Sequence, residues 1–245
     1  MVVIKSSEEI ETMRKCGRTL VAVLERLISE IRPGIRTDEL DTIMAEEAER
    51  RGVIPSFKNY RGFPANLCVS INDEIVHGIP GERRLEAGDI VSLDAGVTLD
   101  GFCTDAAVTV GVGQISEEAE KLISVTQGAL KAAVAQARCG ARVCDISSAI
   151  QRHVESNGLS VVREYTGHGV GRDLHEEPQI PNFVVGKGLK LRKGMTLAIE
   201  PMVNAGDWRT RVAANKWTVL TADGSLSAHF EHTVAVTGNG AEILA

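Results

Sequence analysis

Four acidic residues in apolar, β-branched segments have the clearest chemical meaning in this sequence. Asp94 ends the run Ile-Val-Ser-Leu-Asp and Asp105 follows a turn at 99–101, so we expect a hairpin to bring the two together. We expect Glu200 and Glu231, which lie in comparable runs, to be joined in the same way. One such acid alone is more often solvated or salt-bridged. Four buried carboxylates repel one another and lose hydration, so they are stable as anions mainly around cations. Four at matching positions therefore predict a two-metal site.

The matching positions belong to an internal repeat. One set of residues recurs 106 positions later: Arg32, Gly34, Arg36, Leu40 and Gly52 correspond to Arg138, Gly140, Arg142, Ile146 and Gly158. After an insertion in the second half, segment 102–110 aligns with segment 228–236. Neither half holds the whole cation site. We therefore expect one catalytic domain, residues 1–245, built of two related halves of about 1–112 and 113–245.

A nitrogen ligand is expected from the segment 164–178, where His168 stands between Gly167 and Gly169. Glycines on both sides allow the backbone to approach another group closely, which a core histidine does not require. One imidazole with four carboxylates suits Mn, Fe, Co or Zn better than Ca or Mg. A phosphate-binding loop is the weaker alternative, because the Gly-x-Gly-x-Gly run lacks the Lys-Ser/Thr ending.

Repeated helix pairs and β-rich segments must position these residues. Capping residues, apolar spacing and Gly stops predict four helices: from Ser6 or Ser7 to Pro33-Gly34, with Glu9 in the cap, from a Thr37 cap to Arg51, from Ser116 to about Arg138, and from Asp145 to Asn157. β-Branched runs between turns predict strands at 67–71, 90–94, 106–112, 196–200 and 233–236. We expect an α+β fold in which the halves join edge to edge, with helices covering one face of a curved sheet.

Composition narrows the class of protein and its location. With 245 residues, 43% of them hydrophobic, the chain can bury a substantial core. A formal net charge of −6 argues against a nucleic-acid surface. The five cysteines are odd in number and lack C-x-x-C spacing, which suits reduced thiols. No signal peptide and no run of 18 apolar residues is found, so we expect a cytoplasmic protein.

Several motifs in one order resemble the type I methionine aminopeptidases, which are metallopeptidases of the "pita-bread" fold. The resemblance covers essentially the whole chain and rests on these segments: Val76-His77-Gly-Ile-Pro80, Asp94, Gly101 to Asp105, Gly167-His-Gly-Val-Gly171, His175-Glu-Glu-Pro178, Ile199-Glu-Pro-Met202 and Phe230-Glu-His-Thr233. It implies a pseudo-twofold duplicated, mainly antiparallel pita-bread fold. The implied activity is removal of the initiator methionine from nascent proteins with a small second residue.

The resemblance also implies roles for individual residues. Asp105 and Glu231 would bridge two divalent ions, Asp94 would complete one ion, and His168 with Glu200 would complete the other. Glu200 would move a proton from the attacking water toward the leaving amine. The non-ligand residues His77 and His175 would hydrogen-bond the scissile amide. Taken alone, His77 is as readily explained as a buried structural histidine.

The methionine pocket implied by the resemblance has six members: Phe57, Tyr60, Phe63, Cys68, Leu174 and Trp217. Each alone is more often ordinary core, and only their clustering near the metal motifs favours a pocket. Three residues depart from the family's usual pattern. Leu174 replaces a common aromatic, Phe57 replaces a smaller residue, and His229 replaces Gln. Because His229 shares a strand face with Glu231, we hypothesise that it perturbs metal affinity or proton handling.

Two other classes compete with this interpretation. An X-Pro aminopeptidase or prolidase resembles the chain in all five ligands but usually carries an additional N-terminal domain. A noncatalytic peptide-binding relative typically loses ligands that this sequence keeps. The expected partners are N-terminal peptides of nascent chains and, with them, the ribosome, but neither DNA nor a membrane. The residual charge outside the ligands is near balance, which is compatible with a monomer.

Overall fold

The computed structural model describes residues 2–245. Within this range, the four α-helices are α1 Ser7–Ser29, α2 Thr37–Arg51, α3 Glu117–Val134 and α4 Val143–Glu155. The strands are β1 Ile54–Pro55, β2 Cys68–Ile71, β3 Glu74–Val76, β4 Ile90–Leu99, β5 Phe102–Gly111, β6 Ser160–Val161, β7 Thr166–Gly169, β8 Glu176–Pro181, β9 Thr196–Ile199, β10 Met202–Asn204, β11 Thr210–Val212, β12 Val219–Thr221, β13 Ser227–His229, β14 Glu231–Val236 and β15 Ala241–Ile243.

Nine strands form one sheet, and the sheet joins the two halves of the sequence. Its main path runs β1-β4-β5-β14-β9-β7-β8, with β2 paired to β4 and β15 paired to β14. All of these pairs are antiparallel. Strand β5 of the first half pairs directly with β14 of the second. Two smaller sheets, β13-β10-β6 and β11-β12-β3, flank this main sheet.

Alternation along the strands separates a helix-covered face from the face that carries the carboxylates. In β4, Val91, Leu93, Ala95 and Val97 pack into a core with residues of α1 and α2. Leu197 and Ile199 of β9 pack into a second core with α3 and α4. Successive side chains on a strand point to opposite faces, so Asp94 faces away from the helices. This arrangement confirms the predicted α+β class with helices on one face.

Connections outside the strands repeat at the same offset as the sequence. Gly34 N donates to Leu85 O, and Gly140 N donates to Leu191 O. A bridge between Arg36 and Arg84 has its counterpart between Arg142 and Lys190. The turn that precedes each second helix is therefore held in the same way in both halves.

Helix α1 begins as its sequence predicts. The Ser6 hydroxyl accepts from Glu9 N, while the Glu9 carboxylate accepts from Ser6 N. The two bonds satisfy backbone N–H groups that have no partner within a helix. Ser116 caps α3 by accepting from Ala119 N. Both capping predictions are confirmed.

The predicted starts of α2 and α4 are wrong. Thr37 is not the N-cap of α2, and α4 begins before Asp145. Helix α2 begins at Thr37 after Arg36, and α4 begins at Val143 after Arg142. The Thr37 hydroxyl instead exchanges hydrogen bonds with Gly81. Glu39 and Asp145 accept from the backbone N–H of the two arginines. A tertiary contact thus takes the hydroxyl that the sequence assigns to capping.

Three of the four helices end earlier than predicted. The last residues of α1, α3 and α4 are Ser29, Val134 and Glu155, short of Pro33, Arg138 and Asn157. Turns with local i to i−3 hydrogen bonds fill the difference at the end of α1 and α3. Between residues 2 and 245, no helix has the length and apolar character needed to cross a bilayer.

Candidate metal centre

Three neighbouring strands place three of the acids on one face of the sheet. Asp94 pairs in register with Ala107, and Asp105 pairs with Gly96 across the same hairpin. Glu231 pairs with Ala107 from the other side of β5. Because residues two apart on a strand share a face, Asp94, Asp105 and Glu231 point to the same side. The two-residue turn Asp100-Gly101 closes the hairpin, as predicted.

Asp94 lies inside its strand and does not end it. Strand β4 continues to Leu99 because β5 pairs with it over its whole length. Gly96 fits inside the strand because a Cβ there would lie 2.9 Å from a ring carbon of Phe57. The strand carries Asp94 at its centre, where both of its edges are paired.

Glu200 joins the other acids from strand β9 without a hairpin. The register pairs His232 with Ile199, and one further step along this antiparallel ladder brings Glu231 beside Glu200. Residues 201–230 separate the two acids in sequence, so the hairpin expected by analogy with the first half is wrong. Strand pairing between β9 and β14 gives the same proximity.

His168 comes from β7, where it pairs in register with Ala198 of β9. A Cβ at Gly167 would lie 2.5 Å from Ala198 O, and one at Gly169 would lie 2.3 Å from Glu177 O. The predicted close backbone approach on both sides of His168 is therefore confirmed. The ring Nδ1 lies 2.8 Å from Gly169 O, which leaves Nε2 facing the acids with its lone pair when Nδ1 carries the proton.

The donor atoms are close enough to share a cation. Nε2 of His168 lies 3.4 Å from Glu200 Oε1 and 4.0 Å from Asp105 Oδ2. Asp105, His168 and Glu231 each offer a ligand atom within 4.8 Å of the other two. Among residues 2–245, Asp105 Oδ1 and Glu231 Oε1 are buried without a hydrogen-bond partner. Such oxygens are costly unless something compensates them, and a divalent cation with oxygen and nitrogen ligands does so.

Burial raises the pKa of all four carboxyl groups. The pKa of Asp94 and that of Glu200 rise to about 7, chiefly through desolvation. Desolvation and mutual repulsion hold the pKa of Asp105 and Glu231 well above the ordinary range. Without cations the cluster therefore retains protons near neutral pH. Bound cations reverse this preference by favouring the charged form.

Two further histidines border the acids. The ring of His175 lies 4.1 Å from that of His168, centroid to centroid, and its Nδ1 lies 3.0 Å from Tyr60 Oη. His77 adopts φ +59 and packs edge-on against Trp217. Desolvation lowers the pKa of His77 to about 4 and also depresses that of His175. Both imidazoles are therefore neutral at pH 7 and able to donate one hydrogen bond each.

An aromatic pocket opens beside the acids, in a cavity of about 320 Å³. Every residue proposed from the sequence as a ligand, catalytic group or pocket wall lines this cavity: Phe57, Tyr60, Phe63, Cys68, His77, Asp94, Asp105, His168, Leu174, His175, Glu200, Trp217 and Glu231. The rings of Phe63 and Trp217 meet edge to face at 5.3 Å. The cavity thus combines an apolar end with a charged end.

Sequence reasoning missed six further wall residues: Arg61, Val76, Glu164, Tyr165, Thr166 and Met202. Val76 and Met202 stand at the ends of motifs that the sequence already singled out, and residues 164–166 precede Gly167. Position next to a motif was therefore a usable signal for five of them. Arg61 lies in an irregular turn with φ +50, and no local pattern indicates it.

These features define a class: a hydrolase that uses divalent metal and is built on the pita-bread fold. The chain belongs to metallopeptidase family M24, whose model matches residues 11–238. It is 53% identical to a methionine aminopeptidase of Clostridium perfringens, covering 100% of this chain and 98% of that one. It is 50% identical to methionine aminopeptidase 1 of Bacillus subtilis, covering 100% and 99% of the two chains.

Solved structures agree with the sequence comparisons. A methionine aminopeptidase from Thermotoga maritima matches with a TM-score of 0.98 and 48% identity, covering 100% of this chain and 99% of that one. A prolidase from Pyrococcus furiosus matches with a TM-score of 0.82 and 25% identity, covering 99% of this chain but 65% of its own. The fold expected from the sequence is confirmed.

Proposed function

We propose that the protein is a methionine aminopeptidase that hydrolyses the first peptide bond of chains beginning with methionine. The observation that carries the proposal is the aromatic pocket that opens directly onto the carboxylate cluster. An unbranched thioether fills irregular apolar space and contacts aromatic rings favourably. The full-length relatives described above carry the same name, which supports the substrate class.

The proposal assigns two divalent ions of the Mn, Fe, Co or Zn type to the cluster. Asp105 and Glu231 would bind both ions, Asp94 would bind one, and His168 with Glu200 would bind the other. The unpartnered oxygens of Asp105 and Glu231 support this assignment. Such ions, when bound, lower the pKa of water and polarise a peptide carbonyl.

The remaining polar residues would transfer protons and hydrogen-bond the substrate. Glu200 would take the proton of the attacking water and transfer it to the leaving amine. His77 and His175 flank the cluster as neutral donors, and each has one N–H for the scissile amide or the developing oxyanion. Tyr60 Oη, 3.0 Å from His175 Nδ1, supports this by orienting the ring.

A prolidase is the second candidate, because the structural match extends to that class. Sequence identity favours the methionine aminopeptidase. The chain is 48% identical to the Thermotoga structure and 25% identical to the Pyrococcus prolidase. Phe63, Cys68 and Leu174 form one buried apolar cluster against which Trp217 packs, and such a pocket suits an unbranched thioether.

The wider setting belongs to the same proposal. The domain is residues 1–245 with two related halves, and the hydrogen bonds that recur at the offset of the sequence repeat support this division. The substrates are nascent chains with a small second residue, so the ribosome is the source of substrate. All five cysteines are free thiols, and the net charge is −6. The free thiols support a cytoplasmic location, and the negative charge argues against DNA binding. The proposal also takes the protein to be a monomer that does not bind membranes.

Peptide hydrolysis by the metal-stripped protein tests the proposal. Mn²⁺, Co²⁺ or Fe²⁺ is added, and Met-Ala-Ser is offered beside Met-Leu-Ser and an Ala-Pro peptide. We expect release of methionine from Met-Ala-Ser, little from Met-Leu-Ser, and no cleavage before proline. Asp94→Asn should lose about a hundredfold or more in rate, whereas Asp100→Asn, in the exposed turn, should not. Cleavage of the Ala-Pro peptide without methionine release would establish the prolidase instead.

A further inference from the structure

His229 is a buried histidine that the proposed mechanism does not use. The residue is 1% exposed. Within the described range 2–245, neither of its ring nitrogens has a hydrogen-bond partner. Buried side-chain polar atoms in native proteins nearly always have one. The partner of the His229 ring is therefore to be sought among the polar groups beside it.

The backbone of His229 is held firmly, so its ring has a fixed place behind the acids. His229 N donates to Thr109 Oγ1, and the Thr109 hydroxyl lies 2.8 Å from His229 O. The residue also pairs in register with Met202 of β10, two residues after Glu200. These bonds from two neighbouring strands leave the imidazole little freedom except rotation about its side-chain bonds.

The nearest charged group on that side is the Glu200 carboxylate. Nε2 of His229 lies 3.5 Å from Glu200 Oε2, while Oε1 of the same carboxylate lies 3.4 Å from His168 Nε2. The two oxygens thus face two different imidazoles. A shortening of the 3.5 Å separation by a few tenths of an ångström would give an ordinary hydrogen bond from Nε2–H to Oε2.

We propose that His229 is a positioning residue whose Nε2–H holds Glu200 Oε2, so that Oε1 is presented beside His168 for one of the two ions. The inference rests on the proposed function, in which Glu200 and His168 bind that ion. The hypothesis drawn from the sequence was that His229 perturbs metal affinity or proton handling. The inference selects metal affinity and attributes it to the N–H donor of His229. Partners of ligating carboxylates typically contribute 10- to 100-fold in metal affinity.

Manganese binding by the metal-stripped full chain tests this inference, with calorimetry as the readout. His229→Leu removes the donor, and we expect about 10- to 100-fold weaker binding of the ion that Glu200 holds. His229→Gln keeps an N–H at similar reach, and we expect its affinity within about threefold of wild type. His232→Gln is the matched control, because His232 lies on the face of β14 opposite to Glu231 and its Nδ1 contacts Ala245 O.

Two outcomes decide against the inference. Wild-type affinity in His229→Leu removes any positioning role. Equal losses in His229→Leu and His229→Gln show that an imidazole nitrogen, and not an N–H donor, is needed. If urea unfolding shows that His229→Leu does not fold, His229→Met, which also lacks a donor, is used in its place. Manganese binding by wild type without methionine release would contradict the proposed function alone.

Discussion

Single residues in the carboxylate cluster favour metal binding at a cost in stability. Asp105 is 4% exposed, and its Oδ1 has no hydrogen-bond partner within the described part of the chain. Three other acids surround it, so in the metal-free protein each added charge increases repulsion. Functional sites commonly retain such strain because the loss of stability is offset by activity.

Replacing Asp105 by Asn should separate stability from function. We expect the metal-free variant to be more stable than wild type at pH 8, because desolvation and repulsion disfavour the charged form of Asp105 and an amide carries no charge. Methionine release should fall by more than a hundredfold, because Asp105 is the proposed ligand of both ions. Urea unfolding in EDTA measures the first effect. Asp100→Asn should change neither, and a destabilised Asp105→Asn protein would contradict the argument.

Trp217 should contribute to the choice of methionine through its ring. Its edge-to-face contact with Phe63 fixes the orientation of the indole in the pocket. Contacts between sulfur and aromatic rings are worth about 0.3–1.5 kcal/mol. We expect Trp217→Leu to lower the preference for methionine over norleucine about two- to tenfold in kcat/KM.

Trp208 supplies the matched control for that prediction. It stacks against Arg163 and Arg209, outside the cavity, so Trp208→Leu should leave the preference unchanged. Equal preference in wild type and Trp217→Leu would show that Trp217 acts only as an apolar wall.

Residue types and spacing predicted the chemistry well where glycine or charge leaves a local mark. The glycines beside His168 predicted a close approach that the strands provide. Arg61 left no such mark, because it lies in an irregular turn outside every motif. The contact of His229 with Glu200 depends on strand register, and register is decided by pairing partners that are remote in sequence.

At the scale of elements, an N-terminal segment holds the loop that carries His175. Lys5 Nζ forms an ion pair with Glu176, and both side chains are buried, with exposed fractions of 2% and 8%. Lys5 N donates to Gly194 O, and Glu176 Oε1 accepts from Arg172 N. The segment before α1 is thereby tied to the turn next to the catalytic candidate.

Breaking this buried pair should cost far more than breaking an exposed one. Lys5→Met leaves the Glu176 carboxylate buried without its cation, which typically costs about 3–5 kcal/mol. We expect Lys5→Met to be destabilised by about 3 kcal/mol and Lys5→Met with Glu176→Gln to recover part of this. The more exposed pair of Arg83 with Glu74 is the control, at about 1 kcal/mol or less in Arg83→Met.

Kinetics would show whether the pair also positions His175. We expect kcat to fall in Lys5→Met at temperatures where the protein is fully folded, because the turn at 172–176 loses an anchor. Unchanged kcat with lowered stability would limit the pair to a structural role.

The elements themselves were more predictable than their ends. The capping of α1 followed from Ser6 and Glu9, whose bonds are local. The start of α2 did not, because the Thr37 hydroxyl contacts Gly81, which is remote in sequence. The length of β4 depended on pairing with β5 beyond Gly96. Local signals therefore fixed the helix core and the turn, and tertiary contacts decided the boundaries.

For the whole molecule, the buried charges should set how stability depends on pH. Groups whose folded pKa is raised contribute stability that is lost as pH rises through that pKa. This applies to Asp94 and Glu200, with a pKa of about 7, and to Asp105 and Glu231, whose pKa values are raised further. Histidines with lowered pKa values act in the opposite sense, but only below their ordinary pKa of about 6.5.

Above pH 6.5 only the carboxyl groups affect the pH dependence of stability, because the histidines are neutral in both the folded and the unfolded state. We expect the metal-free protein to lose unfolding free energy between pH 6.5 and 8.5, on the order of 2 kcal/mol through Asp94 and Glu200 alone. Manganese at about 100 times its Kd should add about 2.7 kcal/mol. The gain should grow with pH, because ions bind the deprotonated carboxylates.

Urea unfolding at pH 6.5, 7.5 and 8.5, in EDTA and in excess Mn²⁺, measures both curves. The double variant Asp94→Asn with Glu200→Gln should flatten the metal-free curve, since it removes two of the four titrating groups. A metal-free curve that is level or rises with pH would mean that the four acids do not share one buried site. The internal repeat would then pair two halves without gathering their carboxylates, and the case for a two-ion centre would fail at its physical basis.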